Sequence, residues 1–506
     1  MTYILILFVL YSQTQVEYNR VTCVYTLYKG ESNMPADTIM QQLAQFAVDT
    51  KWEALPPAIS HETKLLLMDT IGCALAALAT DKGKMNLALA KRYGGPPEAS
   101  IIGTNDKTSL PTAAMVNGEL MFALDFTAMI AGGNEPSYVI PAILAMAEST
   151  GASGKDLVIA TAIGLEISSR IARAVLRQVI DPSEAQPPLP LKLRRSGNAY
   201  SNFGAAAGAG RLLKLNREKM SHALGIAGHL CKVLTHGRYG SAGHRWSAKY
   251  GVPGWQSTGA ITAALYAEMG YTGDLTQLDD AENGFWYFAG YQGWRPEKIT
   301  ADLGKTWLYN YRMHYKPYPC CSLFHGALDC FYEILEKNVL KPEEIEKIYI
   351  FGRVGMDHPL YGNREIKSIS DAQFNPRYIF SVAAHRVTVG VEWVDAATMT
   401  NPEILRFMDK VTFEEYRKPA GKGPANASRC DVIARGKTFT SEKEFSWGTV
   451  GTPAAIKDDE LIEKFRHNAA RVLSKTQTER AVQAFIKLEE IENISKLMKE
   501  VTLNKG

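Results

Sequence analysis

The chain has 506 residues, 46% of them hydrophobic and 22% charged, an ordinary balance for a globular protein with a large core and more than one domain. The net charge is +3, and no long basic stripe with interleaved aromatic residues occurs, so nothing indicates nucleic-acid binding. The seven cysteines are scattered apart from the neighbours Cys320 and Cys321, which argues against a disulfide scaffold or a CxxC zinc site and favours reduced thiols.

Residues 1–33 are predicted to be an N-terminal extension of the fold. The opening "MTYILILFVLY" is apolar but too short to span a bilayer, and it lacks the preceding basic residue and the clean cleavage site of a signal peptide. A cleaved or anchoring signal, a flexible extension and a misassigned start all stay open, and Met34 is predicted to begin the folded part. We expect a cytoplasmic or mitochondrial protein without a stable membrane span, with a signal or anchor as the alternative.

Helical patterns dominate residues 34–311, which are predicted to form the first part of a helical domain. The segment 62–79 is apolar on nearly all sides and predicts a buried helix. In the segment 153–179, Ser153 and Asp156 have the spacing of a capping box, and the following apolar residues fall on one helical face.

Two segments rich in small residues follow in the same part. The first, 203–215, favours closely packed helices over a dinucleotide-binding loop, because no strand precedes it and no acid follows at the required distance. The second, 254–270, predicts another helix, ended by Gly270.

Residues 312–449 are predicted to form a smaller α+β lid domain. The segment 346–354 has strand character, and 429–445 predicts a hairpin with its turn at Arg435 and Gly436. Between them, 377–390 predicts a helix.

Residues 450–506 return to helical patterns, with one helix predicted within 458–474 and an amphipathic helix over 477–498. The expected fold class is therefore mainly α, a large all-helical domain with an inserted smaller α+β lid domain.

The stretch "ALDFTAMIAGGNEPSYVIPA" (123–142) contains two acids, Asp125 and Glu135, ten residues apart. On their own they suggest a pair of carboxylates for general acid–base chemistry. The ordinary alternatives are that Asp125 braces a turn and that Glu135 is a surface loop acid.

Eight segments occur in the order in which one known family has them. They are "LLLMDTIGCALA" (65–76), "AAMVNGELMFALDF" (113–126), "PSYVIPAILAMAE" (136–148), "FGAAAGAGRLLKL" (203–215), "KYGVPGWQSTGAITAALYAEMGYTGD" (249–274), "YKPYPCC" (315–321), "AQFNPRYIFSVA" (372–383) and "LIEKFRHNA" (461–469). The chain thereby resembles the MmgE/PrpD family, which includes 2-methylcitrate dehydratases and cis-aconitate decarboxylases. The resemblance implies a helical domain with an α+β lid, a homodimer, a polycarboxylate substrate, and no metal or organic cofactor.

The resemblance also implies site residues, some kept and some exchanged. The first Asp of the family's D-F-D-D-T motif is kept as Asp125, whereas Thr127 replaces the next acid. Glu135 stands where the family has His before Pro-Ser, and Cys321 stands where it has His after Tyr-Pro. By a looser alignment Arg195 stands at a further His position.

Three further positions match the family. They are Lys249, Lys316 and Tyr378.

These residue types fit the handling of a citrate-type acid. Cations such as Lys249 and Arg195 can hold carboxylates, and we expect Thr127 and Cys321 to join them in binding substrate. For dehydration, a base removes an α-proton, an acid protonates the leaving hydroxyl, and cations stabilise the developing negative charge.

The expected catalytic residues are Asp125, Glu135, Lys316 and Tyr378. For the cations the ordinary alternative is a solvated side chain, and for Cys321 it is a packed, unreactive thiol.

The expected function is a lyase that dehydrates 2-methylcitrate or a longer 2-alkylcitrate. The exchange of polar residues for Met129, Ile130 and Ala131 makes one wall of the pocket more apolar, and Glu135 would repel a substrate carboxylate. Both changes favour an alkyl-bearing citrate, as in fungal-type alkylcitrate dehydratases of specialised metabolism. Two alternatives stay open, a cis-aconitate-like decarboxylase and a non-catalytic relative that binds a metabolite.

Overall fold

Helices make up most of the residues that the structure describes, as the sequence predicts. The computed structural model describes residues 37–131, 133–175, 198–232, 252–291, 293–311, 313–352, 361, 363–415 and 428–503. The predicted extension over residues 1–33 lies outside them. The helices are α1 (Ile39–Asp49), α2 (Pro57–Ala77), α3 (Asp81–Tyr93), α4 (Leu110–Phe122), α5 (Glu135–Ser149), α6 (Gly154–Ala174), α7 (Ser201–Leu212), α8 (Arg217–His229), α9 (Pro253–Glu268), α10 (Phe285–Phe288), α11 (Glu297–Thr300), α12 (His325–Lys337), α13 (Ile369–Phe374), α14 (Pro376–Ala384), α15 (Ala396–Met399), α16 (Pro402–Phe407), α17 (Asp458–Ala469), α18 (Lys475–Ile486) and α19 (Ser495–Glu500). The strands are β1 (Ala99–Ser100), β2 (Lys107–Thr108), β3 (Ile345–Gly352), β4 (Val411–Glu415), β5 (Ser428–Ala434) and β6 (Lys437–Lys443).

The helix predicted over 62–79 is α2, and it is buried along most of its length, which confirms the prediction. Its apolar residues pack on all sides, so no polar face is needed. Among its buried residues Asp69 is the one with a charged side chain, and it is only 2% exposed. A carboxylate in such a place needs a partner, and the partner belongs to the candidate site described below.

The small-residue segment 203–215 forms α7, which packs closely on α6 and confirms the prediction. A Cβ atom on Gly204 would lie 1.9 Å from the carbonyl oxygen of Gly164, so the two backbones touch where these glycines meet. The capping box at Ser153 and Asp156 is present at the start of α6. The prediction that this helix runs to residue 179 is wrong at Val175, because Val175 has extended dihedrals and pairs with Trp294.

The helix predicted over 254–270 is α9, and Gly270 follows it with a φ of 94°, which suits glycine. The start of α9 is fixed to α4, since the backbone N–H of Gly254 donates to Oε1 of Glu119 at 3.1 Å. A Cβ atom on Gly254 would lie 1.9 Å from the carbonyl oxygen of Met115, so only glycine allows this approach.

The segment that leads to residue 313 is fixed onto α6 by a buried ion pair. Arg170 and Glu166 lie 2.7 Å apart and are 0% and 1% exposed. Glu166 also accepts the backbone N–H groups of Leu308 and Tyr309. The remaining donors of Arg170 bind the carbonyl oxygens of Ile299, Ala301, Asp302 and Thr306.

A mixed sheet lies within residues 345–443, in the order β4-β3-β5-β6. Strand β3 is parallel to β4 and antiparallel to β5. The predicted hairpin is β5–β6, and Arg435 and Gly436 have φ of 55° and 66°, as a two-residue turn between antiparallel strands requires. Residues Asp37–Gly506 group as one compact unit, so the division into a helical domain and an inserted lid stays a prediction.

The single helix predicted over 477–498 is wrong. The chain forms α18 up to Ile486 and α19 from Ser495, with a short 3-10 helix between them. The backbone groups of the connecting segment bind the start of α6 and are not available for a continuous helix. The carbonyl oxygen of Ile491 accepts from the N–H of Gly154 at 2.7 Å, and the N–H of Ile494 donates to the carbonyl oxygen of Ala152 at 2.8 Å.

The helix predicted over 377–390 is also too long. It is α14, which ends at Ala384, and Arg386 follows with a φ of 54° that a helix does not allow.

No single helix among the described residues is both long and apolar enough to cross a membrane. Helices α2 and α3 reach that length and composition only when taken together, and they are bent by 90° at the break between them.

Candidate active site

The segment between α4 and α5 carries Asp125 and Glu135. Helix α4 ends at Phe122, and Asp125 then adopts a left-handed backbone conformation with a φ of 51°, which Asp tolerates better than most residues. Further on, Met129 and His314 exchange two backbone hydrogen bonds of 2.8 and 2.9 Å. This pairing places the segment of Asp125 beside the segment of Lys316.

Asp125 and Lys316 form an ion pair that is almost completely shielded from solvent. Nζ of Lys316 lies 2.6 Å from Oδ1 of Asp125 and 3.0 Å from its carbonyl oxygen, and the two side chains are 0% and 2% exposed. An ammonium group has three hydrogens, and these contacts use two of them. Within the described residues the third has no protein acceptor, so Lys316 can donate to a substrate oxygen.

A second buried lysine, Lys464 on α17, lies close to this pair. Its Nζ is 2.6 Å from Oδ1 of Asp69, and it donates to the carbonyl oxygens of Phe126 at 2.8 Å and Lys316 at 2.9 Å. Burial raises the pKa of Asp69, and the charge of Lys464 acts against that rise. Lys464 is therefore the charged partner of Asp69.

Glu135 is the first residue of α5 and is 0% exposed, so the alternative of a surface loop acid is wrong. The hydroxyl of Tyr200, just before α7, donates to its Oε1. A Cβ atom on Gly133 would lie 2.7 Å from that oxygen and 2.8 Å from Oδ1 of Asn198. The glycine therefore leaves room for the carboxylate and the amide side by side. A carboxylate at a helix N-terminus is also favoured by the helix dipole.

The phenol of Tyr138 lies within electrostatic range of both candidate carboxylates. Burial raises the pKa of Tyr138 well above its usual value, and Glu119, Glu135 and Asp125 add to the rise. Asp125 and Glu135 therefore both act on the phenol of one residue of α5, and their place in a shared site stays a prediction.

Thr127 and Cys321, two predicted substrate-binding residues, lie close to this segment. The hydroxyls of Thr127 and Ser137 are 3.1 Å apart, which ties Thr127 to the first turn of α5. Cys321 is 6% exposed, and its N–H donates to the carbonyl oxygen of Gln373. The amide of Gln373 donates in turn to the carbonyl oxygen of Ala123, two residues before Asp125.

Tyr378, a predicted catalytic residue, directs its hydroxyl to the carbonyl oxygen of Trp393 at 2.6 Å. Burial raises its pKa. Within the described residues this hydroxyl has no hydrogen bond to Asp125, Lys316 or Glu135, so a role for Tyr378 as proton donor stays a prediction.

Two predicted substrate-binding cations, Arg195 and Lys249, lie outside the described residues. Two described residues lie near them in the sequence. The side chain of Asn198 lies next to Gly133, as does that of Glu135, and the N–H of Gly254 donates to Glu119.

Two buried imidazoles form a chain next to the pair. Nε2 of His314 lies 3.2 Å from Nδ1 of His325, and Nε2 of His325 lies 3.2 Å from the carbonyl oxygen of Cys320. Burial and the charge of Lys316 are among the causes that lower the pKa of His314 to about 3 and hold that of His325 well below its usual value. Both imidazoles are therefore neutral at physiological pH.

The depressed pKa of His314 predicts a loss of stability in acid. Between about pH 6.5 and 3 the unfolded chain binds a proton at this position that the folded chain does not, so stability falls as the pH falls. We expect His314→Gln to reduce the slope of unfolding free energy against pH by about 1.4 kcal/mol per pH unit. Urea denaturation at a series of pH values measures that slope.

A matched control for this experiment is His61→Gln, because His61 is 54% exposed. The opposing trend of Asp329, whose pKa burial raises to about 6, is present in both variants and cancels in the comparison. An unchanged slope in His314→Gln would contradict the prediction.

Asp125 and Glu135 are buried carboxylates that can accept a proton, and Lys316 is a buried lysine that can donate one. A base, an acid and a cation are the groups that elimination from a carboxylic acid requires. Among the described residues no group of three or more His, Cys, Asp or Glu side chains is arranged to hold a metal ion.

Sequence reasoning missed three residues that contact the predicted site residues or their segments, namely Asp69, Lys464 and Tyr200. Asp69 and Lys464 both lie in the family segments quoted above, and a single acid inside an otherwise apolar helix is a signal for a buried partner. For Tyr200 the sequence carries no comparable signal, because its contact with Glu135 joins residues 65 positions apart.

Comparison with known proteins bears on both halves of the chain. Residues 41–296 match the MmgE/PrpD N-terminal domain, and residues 318–490 match the MmgE/PrpD C-terminal domain. The chain is 25% identical to a cis-aconitate decarboxylase of Homo sapiens, over 89% of this chain and 91% of that protein. It is 24% identical to the cis-aconitate decarboxylase-like protein oryM of Aspergillus oryzae, over 92% and 97%. It is 22% identical to a cis-aconitate decarboxylase of Aspergillus terreus, over 94% and 97%. The chain is therefore a member of the MmgE/PrpD family.

Proposed function

We propose that this protein is a lyase that acts on a citrate-type polycarboxylic acid. The observation that carries the proposal is the buried Lys316, to which the described residues present two acceptors, both on Asp125, so that one N–H donor remains among them. A charge-assisted hydrogen bond from such a lysine to a substrate oxygen is strong where water is excluded. The proposal places that donor on the substrate hydroxyl and the substrate carboxylates on Lys249 and Arg195, the cations predicted from the sequence.

The comparisons support the same class of reaction. The relatives named above are cis-aconitate decarboxylases or like them by name, and the similarity extends over nearly the whole chain. At identities of 22–25% the site need not carry out the same reaction, and the exchange of the family imidazole for Glu135 is one such difference.

The finer proposal is dehydration of 2-methylcitrate or a longer 2-alkylcitrate. Glu135 removes the α-proton, the electron pair left behind forms the carbon–carbon double bond, and the hydroxyl leaves as water with a proton from Lys316. Asp125 stabilises the ammonium before the transfer and lies close enough to take part in restoring it. The product is the aconitate-type alkene.

An alkyl-bearing substrate fits the side chains around the acids. Of the predicted apolar residues, Ile130 is fully buried in the core and Met129 and Ala131 are partly buried, and an apolar segment close to Asp125 supports a substrate that carries an alkyl group. An ionised Glu135 would repel a carboxylate placed beside it, which disfavours the smallest and most charged acids.

Decarboxylation of a cis-aconitate-like acid is the second candidate, and the names of the relatives favour it. In that reaction a carbon–carbon bond breaks, carbon dioxide leaves, and the resulting carbanion takes a proton from Lys316. The third candidate, a metabolite-binding protein without activity, is favoured by the loss of the family histidines at positions 135 and 321.

Mass spectrometry of candidate acids incubated with the purified protein distinguishes these functions. We expect loss of water from 2-methylcitrate or a longer 2-alkylcitrate, with slower conversion of cis-aconitate. Carbon dioxide loss from cis-aconitate at an equal or greater rate would contradict dehydration and support the second candidate. Binding of an acid by calorimetry without any conversion would support the third.

A further inference from the structure

Lys464 lies where three separate parts of the chain meet. It belongs to α17, near the C-terminal end, and its side chain is 8% exposed. Its ammonium group contacts Asp69 of α2, the carbonyl oxygen of Phe126 and the carbonyl oxygen of Lys316. The ring of Phe126 lies 3.8 Å from Nζ, which adds a cation–π contact.

These contacts distinguish the two buried lysines. Nζ of Lys464 lies 2.6–2.9 Å from three oxygens, two carbonyl oxygens that accept hydrogen bonds and Oδ1 of Asp69 as the ion-pair partner. Among the described residues, Nζ of Lys316 contacts two oxygens, both of Asp125. The geometry therefore gives Lys464 a role toward the protein and Lys316 a role toward the substrate.

The two carbonyl groups that Lys464 binds belong to the segments that carry the candidate pair. Phe126 directly follows Asp125, and the other carbonyl is that of Lys316 itself. Asp69 completes the arrangement, since its Oδ2 accepts the backbone N–H of Ala128 at 3.3 Å. One buried ion pair thus holds the backbone on both sides of the contact between Asp125 and Lys316.

We propose that Lys464, with Asp69 as its counter-ion, is a positioning residue that sets the place of Lys316 relative to Asp125. Its effect on catalysis rests on the function proposed above, whereas its effect on the geometry of Lys316 does not. A displacement of about 1 Å in a reacting group can lower a rate by roughly a hundredfold, so loss of this ion pair affects the chemical step more than substrate binding.

The first test compares Lys464→Met and Lys464→Arg with Lys475→Met, whose lysine is exposed on α18. For Lys464→Met we expect kcat to fall about 30- to 100-fold with KM changed less than about threefold. Lys464→Arg keeps a cation for Asp69 and is expected to recover most of kcat, and Lys475→Met to match the unaltered protein. If Lys464→Met fails to fold, the paired variant Asp69→Asn/Lys464→Met, which leaves no buried charge unpaired, replaces it.

The second test measures the exposure of Lys316 without any need for turnover. Acetylation of single lysines by a small amine-reactive reagent is followed by peptide mass spectrometry, with Lys82, 22% exposed and paired with Glu119, as the internal control. In the Met variant we expect the labelling rate of Lys316 to rise at least about tenfold while that of Lys82 stays constant.

The outcomes separate this proposal from the proposed function. Unchanged labelling of Lys316, or an equal rise at Lys316 and Lys82, would overturn the positioning role. If no acid is converted by the unaltered protein, the proposed function fails, and the labelling of Lys316 still decides whether Lys464 positions it. Selective exposure of Lys316, with recovery in Lys464→Arg, supports the proposal.

Discussion

Replacement of Lys316 by Met is expected to lower kcat/KM for the proposed acid by about a thousandfold or more. The change removes the ammonium group that binds a substrate oxygen and supplies the proton for the leaving hydroxyl, in a site where water does not compete. Steady-state kinetics on the acid converted fastest by the unaltered protein measure the effect. A loss of less than about tenfold would show that Lys316 is not part of the machinery.

The same variant is expected to be less stable, because Asp125 is left as a buried carboxylate without its counter-ion. Removal of one partner of a buried ion pair costs about 3–5 kcal/mol, whereas removal of both charges costs much less. Asp125→Asn/Lys316→Met is therefore the matched control, and Asn suits the φ of 51° at that position. We expect the double variant to recover most of the unfolding midpoint and none of the activity. Recovery of activity with stability would mean that the pair is structural.

The fold was predictable where local pattern and burial agree. The all-round apolar character of α2, the capping box of α6 and the turn at Arg435 and Gly436 each follow from short-range rules, and each is present. The prediction over 477–498 failed for a different reason. Its helical pattern is continuous, but the backbone groups of Ile491 and Ile494 bind the start of α6 instead, a contact between distant parts of the chain that periodicity does not contain.

The candidate site was predictable only in part. The family resemblance identified Asp125 and Lys316, and the structure places them 2.6 Å apart. The resemblance did not indicate which groups the two buried lysines contact, because that depends on which oxygens surround each ammonium group. It also gave no reason to single out Lys464, whose contacts join residues 148 and 338 positions apart. Such partners follow from tertiary packing alone.

Replacement of Glu135 by Gln is expected to lower kcat about 100- to 10,000-fold if this carboxylate is the base that takes the α-proton. The amide has nearly the same shape and still offers Tyr200 an acceptor, so the packing of α5 is kept while the proton acceptor is lost. The matched control is Glu148→Gln, a buried glutamate of the same helix that binds Ser100 and Lys107. That control is expected to lower stability and leave kcat nearly unchanged.

Glu135→His and Tyr200→Phe separate the remaining roles of this position. Glu135→His restores the family imidazole and, like Glu135→Gln, removes a negative charge. If Glu135 mainly selects against a substrate carboxylate, we therefore expect both variants to convert cis-aconitate faster. If Glu135 is the base, neither variant gains activity on cis-aconitate and both lose activity on the alkylcitrate. Tyr200→Phe leaves the carboxylate in place without its hydrogen bond and is expected to lower kcat by only about tenfold. Unchanged kinetics in Glu135→Gln, Glu135→His and Tyr200→Phe would show that Glu135 has no chemical role. A base or a selector at this position requires at least one of these variants to change the rate.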